Sequence, residues 1–248
     1  MKKLRNYIYN ILTYLNYYKL KKKFKHIVFL HIPQSAGNSI DHFLKVNLGI
    51  RNYKVEPSDE KLNNPKYKDF FIIFGHFGYD RIKEINNEKT FKICNIRNPK
   101  NRYLSNYYRN KGFFNNTNLK EFMSLKDFLI LRKTQKQDNL YTRYFSGEKI
   151  YGINNIDITD EHLNKAKNNL KSFDHIFILE NSKESFKILS NKLDFLFELT
   201  PFFNMHKNNV SSSVFKDQNK EESQLLNDLT FYDQKLYEYA LTQTKKND

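Results

Sequence analysis

The stretch from Ile27 to Leu48 most constrains what this chain can fold into, because its pattern changes from strand to helix across one short turn. It begins with an apolar run rich in β-branched and aromatic residues, Ile27–Leu30, which is typical of a strand buried on both faces. It continues with apolar residues at helical spacing and then a glycine that can end a helix: Ile40, Phe43, Leu44, Leu48 and Gly49. A strand that leads directly into a helix indicates an α/β protein.

The turn inside this stretch is made of small and hydroxyl-bearing residues: Pro33, Gln34, Ser35, Ala36, Gly37, Asn38 and Ser39. A turn of this kind directs backbone N–H groups, hydroxyls and a helix N-terminus at one point, which makes an anion site. The G-x-x-x-x-G-K-[ST] spacing of the Walker loop is absent. Taken alone, the turn fits a phosphate site and a plain strand-to-helix connection equally well.

Three further apolar runs predict strands, at residues 70–74, 91–96 and 175–179. Helical patterns follow them, while residues 51–69 predict a loop and the last long helix is expected to run through Leu225 to Ala240. This alternation predicts a single α/β domain over residues 26–248, with a mainly parallel central sheet covered by helices on both faces.

The charge balance favours polyanionic partners. Net charge is +15, from 42 Lys and Arg against 27 Asp and Glu, which suits nucleotides, nucleic acid, acidic glycans or anionic lipid without choosing among them. Cys94 is the one cysteine, so no disulfide framework exists and we expect a cytoplasmic protein. No run of 18 apolar residues predicts a transmembrane helix, and no His/Cys cluster has metal-ligand spacing, so no metal is expected.

Residues 1–25 predict a basic amphipathic helix that precedes the domain. Its apolar residues recur at helical spacing, and no continuous apolar core of a signal peptide follows: Leu4, Ile8, Ile11, Leu12 and Leu15. Two placements are open. The apolar stripe and its lysines can lie on an anionic membrane, peripherally at the inner surface, or the helix can pack on the domain.

Candidate site residues follow three of the predicted strands, and ligands of parallel sheets bind beyond the carboxyl ends of strands. The 33–39 turn follows the first strand, and His76 in a glycine-flanked turn follows the second. Arg97 follows the third and precedes a helix with Asn98 as N-cap and Pro99 at its first position. This helix start is a second anion site with a guanidinium group. Two anion sites suggest a nucleotide phosphorylated at two positions, with His76 between them.

Two of these segments resemble motifs of the carbohydrate sulfotransferases that use PAPS (3′-phosphoadenosine 5′-phosphosulfate), in the branch that includes heparan sulfate 2-O-sulfotransferases and bacterial relatives. His31–Ile40 resembles the loop that binds the 5′-phosphosulfate. Ile96–Tyr108 is similar to the 3′-phosphate motif, whose arginine and serine fall on Arg97 and Ser105. The resemblance implies a P-loop-like sulfotransferase fold for residues 26–248 and PAPS as co-substrate without a metal.

The resemblance also implies roles in catalysis and acceptor binding. His76 falls where the family has a histidine proposed as catalytic base. Residues 137–147 resemble the acceptor-side segment, so Asn139 and Arg143 are predicted, with His76, to bind a hydroxylated acceptor such as a glycan or glycolipid. Gln34 stands where the family usually has a lysine that contacts the bridging oxygen of the leaving phosphate. Glutamine donates a hydrogen bond there without a charge.

The predicted function is therefore transfer of a sulfuryl group from PAPS to a hydroxyl of a carbohydrate-type acceptor. The first alternative is a catalytically impaired relic that still binds a nucleotide or glycan, because Gln34 lacks the charge of lysine. The second is a nucleic-acid-binding protein, suggested by the charge and the tyrosines. That function needs exposed aromatics in a basic stripe, whereas Tyr103 and Tyr107 fall at packing positions, so no nucleic-acid partner is expected.

Overall fold

The structure, a computed structural model, describes residues 2–49, 53–56, 70–85, 89–115, 123–147, 156–197 and 218–246. Within these residues the strands are β1 (His26–Leu30), β2 (Tyr53–Glu56), β3 (Ile72–Gly75), β4 (Thr90–Ile96) and β5 (His175–Ile178). The helices are α1 (Lys2–Lys23), α2 (Gly37–Leu48), α3 (Tyr79–Ile85), α4 (Pro99–Asn115), α5 (Leu125–Thr134), α6 (Leu140–Ser146), α7 (Asp160–Leu170), α8 (Ser182–Leu193), α9 (Lys220–Leu229) and α10 (Phe231–Lys246). A short 3₁₀ turn, Leu179–Asn181, joins β5 to α8.

The fold is α/β with a mainly parallel sheet flanked by helices, as predicted. Backbone contacts divide the chain into two compact units. The first unit is Met1–Asn95 with Ser172–Met205, and it contains the sheet together with α1, α2, α3 and α8. The second unit is Ile96–Lys171 with His206–Asp248, and it is built from the remaining helices.

The sheet of the first unit has the strand order β2-β3-β1-β4-β5. β1 pairs in parallel with both β3 and β4, and β2 pairs in parallel with β3. In this register Leu30, the last residue of β1, lies opposite Gly75 on one side and Cys94 on the other. The carboxyl ends of the three middle strands therefore lie at one edge of the sheet.

Both faces of the sheet are covered, as the sequence predicts. Four successive residues of β1, Ile27–Leu30, have no exposed surface, although successive side chains of a strand point to opposite faces. On one face the core is formed with α1, α2 and α8, which contribute Leu20, Phe43 and Leu189. Cys94 is a fully buried residue of β4, and burial raises the pKa of its thiol, so it is a small core residue.

The edge strand β2 corrects the prediction that residues 51–69 form a loop. Tyr53–Glu56 pairs with β3, and residues 57–69 lie outside the described part of the chain. A strand of four residues that alternates polar and apolar side chains is too short for its period to distinguish it from a loop.

Helix α1 packs on the first unit with a face that the sequence stripe did not predict. Its buried side chains are Thr13, Asn16 and Leu20, whereas Leu4, Ile8, Ile11 and Leu15 are exposed. Asn16 Nδ2 donates to the carbonyl of Asn47 at 3.1 Å, and its Oδ1 accepts from the N–H of Phe197 at 3.0 Å. Polar groups thus anchor the helix. Across the described residues, no helix combines the length and apolar character that a membrane span requires.

The second unit has its own core, in which α4, α5 and α9 meet. Tyr103, Leu104 and Tyr107 of α4 pack with Phe128 and Leu129 of α5 and with Leu226 and Leu229 of α9. The packing face predicted for α4 is therefore confirmed.

The single long helix predicted at the end of the chain is two helices, α9 and α10, which meet at Thr230. The hydroxyl of Thr230 donates to the carbonyl of Leu226 at 2.7 Å, and the carbonyl of Leu229 accepts from the N–H of Asn139. The bond from Asn139 thus takes the place of a helix bond at the Leu229 carbonyl, and the hydroxyl bond is added to the one that Leu226 accepts from the N–H of Thr230. The apolar spacing continues across the break, so the sequence pattern did not reveal it.

Asn139 and Asp233 join α6 to α10 by capping each other's helix. Asn139 Oδ1 accepts from the N–H of Tyr232 at 2.8 Å, in the first turn of α10. Asp233 accepts from the N–H groups of Tyr141 at 3.0 Å and Thr142 at 2.8 Å, in the first turn of α6. Each side chain satisfies donors that a helix N-terminus leaves unpaired.

Asp233 is completely buried, and burial raises the pKa of its carboxyl to about 6. The backbone bonds from Thr142 and Tyr141 and the nearby positive charge of Arg102 act in the opposite direction. Arg102 is itself buried, with its guanidinium carbon 4.2 Å from the centre of the Tyr103 ring. These donors and this charge favour the carboxylate form at neutral pH.

We predict that Asp233→Asn lowers the free energy of unfolding by about 1.5–3 kcal/mol at pH 7.5. Each oxygen of the Asp233 carboxylate accepts one buried N–H group, and in the variant an amide nitrogen, which cannot accept, would replace one of these oxygens. Urea unfolding followed by circular dichroism measures the change. The matched control is Glu238→Gln, an exposed acid on the same helix, which should change stability by less than about 0.5 kcal/mol. Equal stability of the two variants would contradict the capping role.

Candidate functional site

The loop between β1 and α2 has the geometry of an anion site within the first unit. Gln34 and Ala36 adopt left-handed backbone conformations, with φ of 65° and 70°. This conformation is uncommon for residues other than glycine and persists where the surroundings enforce it. Ala36 is the N-cap of α2, and no side chain caps the helix. The first-turn N–H groups therefore have no side-chain acceptor at the N-cap.

Asn95 of β4 holds this loop in place through buried hydrogen bonds. Its Oδ1 accepts from the N–H of Ile32 at 2.7 Å, and its Nδ2 donates to the carbonyls of Ile32 at 3.2 Å and Ser35 at 2.5 Å. This role of Asn95 was not predicted. A signal was available, since asparagine is depleted in strands and Asn95 stands between the apolar residues Cys94 and Ile96.

The predicted loop residues differ in exposure. Ser35 and Gly37 are buried, and Asn38 is exposed. The rest are half-buried: Pro33, Gln34, Ala36 and Ser39. A Cβ atom added to Gly37 would lie 1.7 Å from Nε2 of His31, so the imidazole occupies the space that any other residue would need. Any other residue at this position would therefore displace the His31 imidazole.

His76 follows β3, at the sheet edge where the loop also begins, because Gly75 pairs with Leu30. Its Nδ1 lies 2.7 Å from the carbonyl oxygen of His31, and the two imidazole rings are 4.4 Å apart between centres. A carbonyl oxygen only accepts hydrogen bonds, so this bond places the proton of the neutral imidazole on Nδ1. Nε2 then carries the lone pair that a general base requires.

Arg97 belongs to the second unit, where its backbone is held by Tyr141. The Tyr141 hydroxyl donates to the Arg97 carbonyl at 2.8 Å and accepts from the Arg97 N–H at 3.2 Å. Asn98 Oδ1 accepts from the N–H of Asn101 at 3.2 Å, which confirms the predicted cap of α4. Tyr141 is a residue of the first turn of α6, which Asp233 caps, so these two buried residues position Arg97. Neither role was predicted from the sequence.

Ser105 is half-buried in α4, the helix that begins just after Arg97. Arg97 is also half-buried. Arg102 lies between them in sequence and is buried against Tyr103 and near Tyr141. Its charge is therefore directed into the unit, whereas Arg97 and Ser105 keep partial contact with solvent.

Asn139 and Arg143, predicted to bind the acceptor, instead make structural contacts. Both are buried. The Arg143 guanidinium donates to the Asp138 carbonyl at 2.9 Å, the Asp138 carboxylate at 2.7 Å and the Ile156 carbonyl at 3.1 Å, so each of its three nitrogens has a protein acceptor. Asn139 caps α10, as described above. These contacts give both residues a structural role, and acceptor binding by them stays a prediction.

Among the described residues, no group of three or more His, Cys, Asp or Glu side chains is arranged to hold a metal ion. Of the site residues predicted from the sequence, the 33–39 loop and His76 belong to the first unit, and Arg97 and Ser105 belong to the second.

Comparisons with known proteins identify the family. No curated protein matches the chain. Among solved structures, the chain is similar to the crystal structure of mouse sulfotransferase SULT7A1 complexed with PAP, with 14% sequence identity and a TM-score of 0.48, over 93% of this chain and 96% of that one. The model of the sulfotransferase family matches residues 19–240, nearly nine-tenths of the sequence and all of the site residues described above. The chain belongs to the sulfotransferase family.

Proposed function

We propose that this sulfotransferase moves the sulfuryl group of PAPS to a hydroxyl of a carbohydrate-type acceptor, with His76 as general base. The observation that carries the proposal is the 2.7 Å bond between His76 Nδ1 and the His31 carbonyl, which leaves Nε2 as the proton acceptor at the edge of the anion loop. Membership of the sulfotransferase family supports the reaction type.

The 33–39 loop is the proposed site of the 5′-phosphosulfate. It follows β1, leads into a helix without a side-chain cap, and is held by Asn95 in a conformation with two left-handed residues. Backbone N–H groups at a helix N-terminus bind an oxyanion by hydrogen bonds and by the helix dipole. The loop therefore suits the phosphate and sulfate oxygens of the donor.

Arg97 and Ser105 are the proposed ligands of the 3′-phosphate. A guanidinium contacts a phosphate through two parallel hydrogen bonds, and a serine hydroxyl adds a third donor. Tyr141 holds the Arg97 backbone through both its N–H and its C=O, which limits the motion of that side chain at its base. The second phosphate site would distinguish PAPS from nucleotides that lack a 3′-phosphate.

In the proposed reaction, PAPS supplies a sulfuryl group whose bond to the 5′-phosphate breaks as the acceptor oxygen bonds to sulfur. His76 Nε2 takes the proton of the attacking hydroxyl, and its Nδ1–H stays bonded to the His31 carbonyl, which stabilises the imidazolium that forms. The N–H groups of the loop stabilise the negative charge that develops on the leaving 5′-phosphate.

Gln34 is the one departure that bears on rate. It donates a neutral hydrogen bond where the resemblance implies a lysine. A hydrogen bond to a charged group is worth about 1.5–3 kcal/mol, so loss of the whole bond would slow transfer by roughly 10–150-fold, which is the upper limit for replacing lysine by a neutral donor. The relic alternative rests on this position alone, because the rest of the loop has the geometry of an anion site.

The function is tested directly by supplying PAPS with a panel of glycans, glycolipids and small hydroxylated compounds and measuring sulfate transfer by mass spectrometry. Transfer to carbohydrate hydroxyls supports the proposal. Transfer only to non-carbohydrate hydroxyls would agree with the proposed PAPS site and contradict the proposed class of acceptor. No transfer with retained PAPS binding would support the relic.

We predict that adenosine 3′,5′-bisphosphate raises the melting temperature more than 5′-AMP does at equal concentration, because only the bisphosphate fills the Arg97 and Ser105 site. Arg97→Ala should weaken binding of the bisphosphate by about 10–150-fold and leave 5′-AMP nearly unaffected. Scanning fluorimetry and calorimetry measure both effects. Arg109→Ala, an exposed arginine of the same helix, is the matched control and should change neither. Equal melting shifts for the two nucleotides would refute the 3′-phosphate assignment.

We predict that His76→Ala lowers kcat by about 10²–10⁴-fold, because removing a general base has an effect of this size, while the dissociation constant of the nucleotide changes by less than about twofold. Added imidazole should restore part of the lost activity. His42→Ala, an exposed histidine on α2, is the matched control. Near-normal turnover in the His76 variant would exclude His76 as the general base and leave it only a structural role in the turn. Glu180, which is exposed and follows β5, would then be the next candidate base.

We predict that Gln34→Lys raises kcat by at most about 150-fold, because the added charge acts most strongly on the transition state. Lysine tolerates the left-handed backbone about as well as glutamine, since both have a Cβ. Asn38→Lys adds the same charge at an exposed position of the loop and should lower the KM for PAPS more than it raises kcat. Activity that appears only in the Gln34 variant would identify a relic. Decreased activity would show that glutamine is adapted to this site.

A further inference from the structure

Helix α1 exposes a continuous apolar face to solvent. Seven of its side chains recur at intervals of three and four residues and are all exposed; we refer to them as the α1 stripe: Leu4, Tyr7, Ile8, Ile11, Tyr14, Leu15 and Tyr18. At about 100° per residue they occupy an arc of about 120° on the helix. A contiguous apolar face on a protein surface marks an interaction site.

The α1 stripe is not needed to hold the helix on the protein. The buried residues Thr13, Asn16 and Leu20 lie on the opposite side, about 140–180° from the centre of the stripe. The hydroxyl of Tyr9 donates to the carbonyl of Val46 at 3.0 Å, and Asn16 donates to the carbonyl of Asn47. The helix thus has one face that packs and another that is apolar without a partner among the described residues.

All charges within residues 1–25 have one sign, and one acid outside this segment, Asp194, pairs with Lys19 at 2.8 Å. Residues 1–25 contain eight Lys and Arg and no Asp or Glu. Lys19 and Lys21 fall at the two borders of the stripe, about 20° beyond its outermost positions. Lys22 continues the stripe at its C-terminal end, with Nζ 4.4 Å from the centre of the Tyr18 ring. An apolar face bordered by lysines is typical of helices that lie in a membrane interface.

We propose that the α1 stripe docks on an anionic lipid surface. Its aliphatic side chains would enter the boundary of the acyl chains, and its tyrosines would lie at the level of the head groups. The lysines would contact lipid phosphates and carboxylates. The helix would lie in the plane of the interface, since it is not apolar enough to span a membrane. This proposal does not depend on the proposed donor or acceptor.

Two other occupants fit the same observations less well. A second copy of α1 would match the apolar spacing, but it would bring two helices without a single acid together and oppose lysine with lysine. A nucleic acid would match the lysines and tyrosines, but it offers no apolar partner for the four aliphatic side chains. Anionic lipid satisfies both the charge and the apolar surface.

The stripe is remote from the anion loop within the first unit, which makes the proposal separable from catalysis. Tyr9 and Asn16 bond to Val46 and Asn47, in the last turn of α2, whereas the loop precedes its first turn. A helix of 12 residues is roughly 18 Å long. Substitutions in the stripe should therefore leave sulfate transfer to a water-soluble acceptor unchanged.

The test is flotation of the full chain with vesicles of phosphatidylcholine alone or of phosphatidylcholine with about one quarter phosphatidylserine. We expect binding to the anionic vesicles, release by about 0.5 M salt and little binding to the neutral ones. Ile8→Asn with Ile11→Asn should weaken binding by at least about tenfold. Lys21→Gln with Lys22→Gln should weaken it by about fivefold per lysine.

Matched controls come from other exposed positions. Leu196 and Ile130 are 51% and 39% exposed, close to the 48% and 41% of Ile8 and Ile11, so the control is Leu196→Asn with Ile130→Asn. Lys83→Gln with Lys187→Gln controls for loss of charge, because both lysines are more than half exposed. Both control pairs should bind vesicles like the parent chain. If Ile8→Asn with Ile11→Asn disturbs folding, the vesicle binding of Lys21→Gln with Lys22→Gln still tests the proposal.

Three results would overturn the proposal. The first is vesicle binding that neither stripe pair weakens relative to its control. The second is absence of vesicle binding together with a dimer that the Ile8 and Ile11 pair dissociates, which would make the stripe an interface between copies. The third is absence of vesicle binding together with binding of a single-stranded oligonucleotide that the same pair abolishes.

Discussion

The first unit depends on one buried polar side chain, Asn95, and on the hydrogen bonds that it makes to the loop after β1. A buried amide without partners destabilises a protein by about 1–3 kcal/mol, so Asn95 is stable in β4 only while the loop supplies its acceptors and donor. The loop in turn has two left-handed residues other than glycine, a conformation that the bonds to Ile32 and Ser35 help to enforce. Strand and loop thus constrain each other. The N–H groups of the loop are thereby oriented before any anion binds, which is what electrostatic stabilisation of a leaving group requires.

The second unit uses the same principle around Arg97. Asp233 is buried and accepts N–H groups from the start of α6, and Tyr141 in that turn holds the Arg97 backbone. Burial raises the pKa of Asp233 to about 6, which is still below neutral pH, so the carboxylate is the form that caps the helix in neutral solution. In both units, then, a buried polar residue outside the recognisable motifs positions a residue inside them. Gln34 and Arg97 of the motifs are half-buried, whereas the groups that hold the loop and Arg97, namely Asn95, Tyr141 and Asp233, are fully buried.

This division explains how much the sequence could predict. The strand-turn-helix at Ile27–Leu48, the His76 turn and the cap at Asn98 follow from local patterns and were predicted correctly. The helix-joining role of Asn139 and the three protein acceptors of Arg143 were not predicted, because a polar residue has the same letter whether it faces a ligand or a protein group. The break at Thr230 and the strand β2 depend on hydrogen bonds from residues distant in sequence, which the spacing of apolar residues does not reveal. The face by which α1 packs was missed for a related reason. Its anchors are the polar residues Thr13 and Asn16, so the apolar stripe indicated the wrong side.

Helix α2 connects these observations within the first unit. Its first turn lies at the anion loop, and the carbonyls near its last turn receive the donors of Tyr9 and Asn16 from α1. The length of this helix, roughly 18 Å, thus separates the anion loop from the contacts that Tyr9 and Asn16 make. An anionic lipid surface that contacts the stripe would bring negative charge there, but salt screens such charge within about a Debye length of 8–10 Å at physiological ionic strength. The electrostatics of the loop and the proposed proton transfer at His76 would therefore be the same for the docked and the free protein. Docking would change which acceptors the enzyme meets, without changing how it transfers the sulfuryl group.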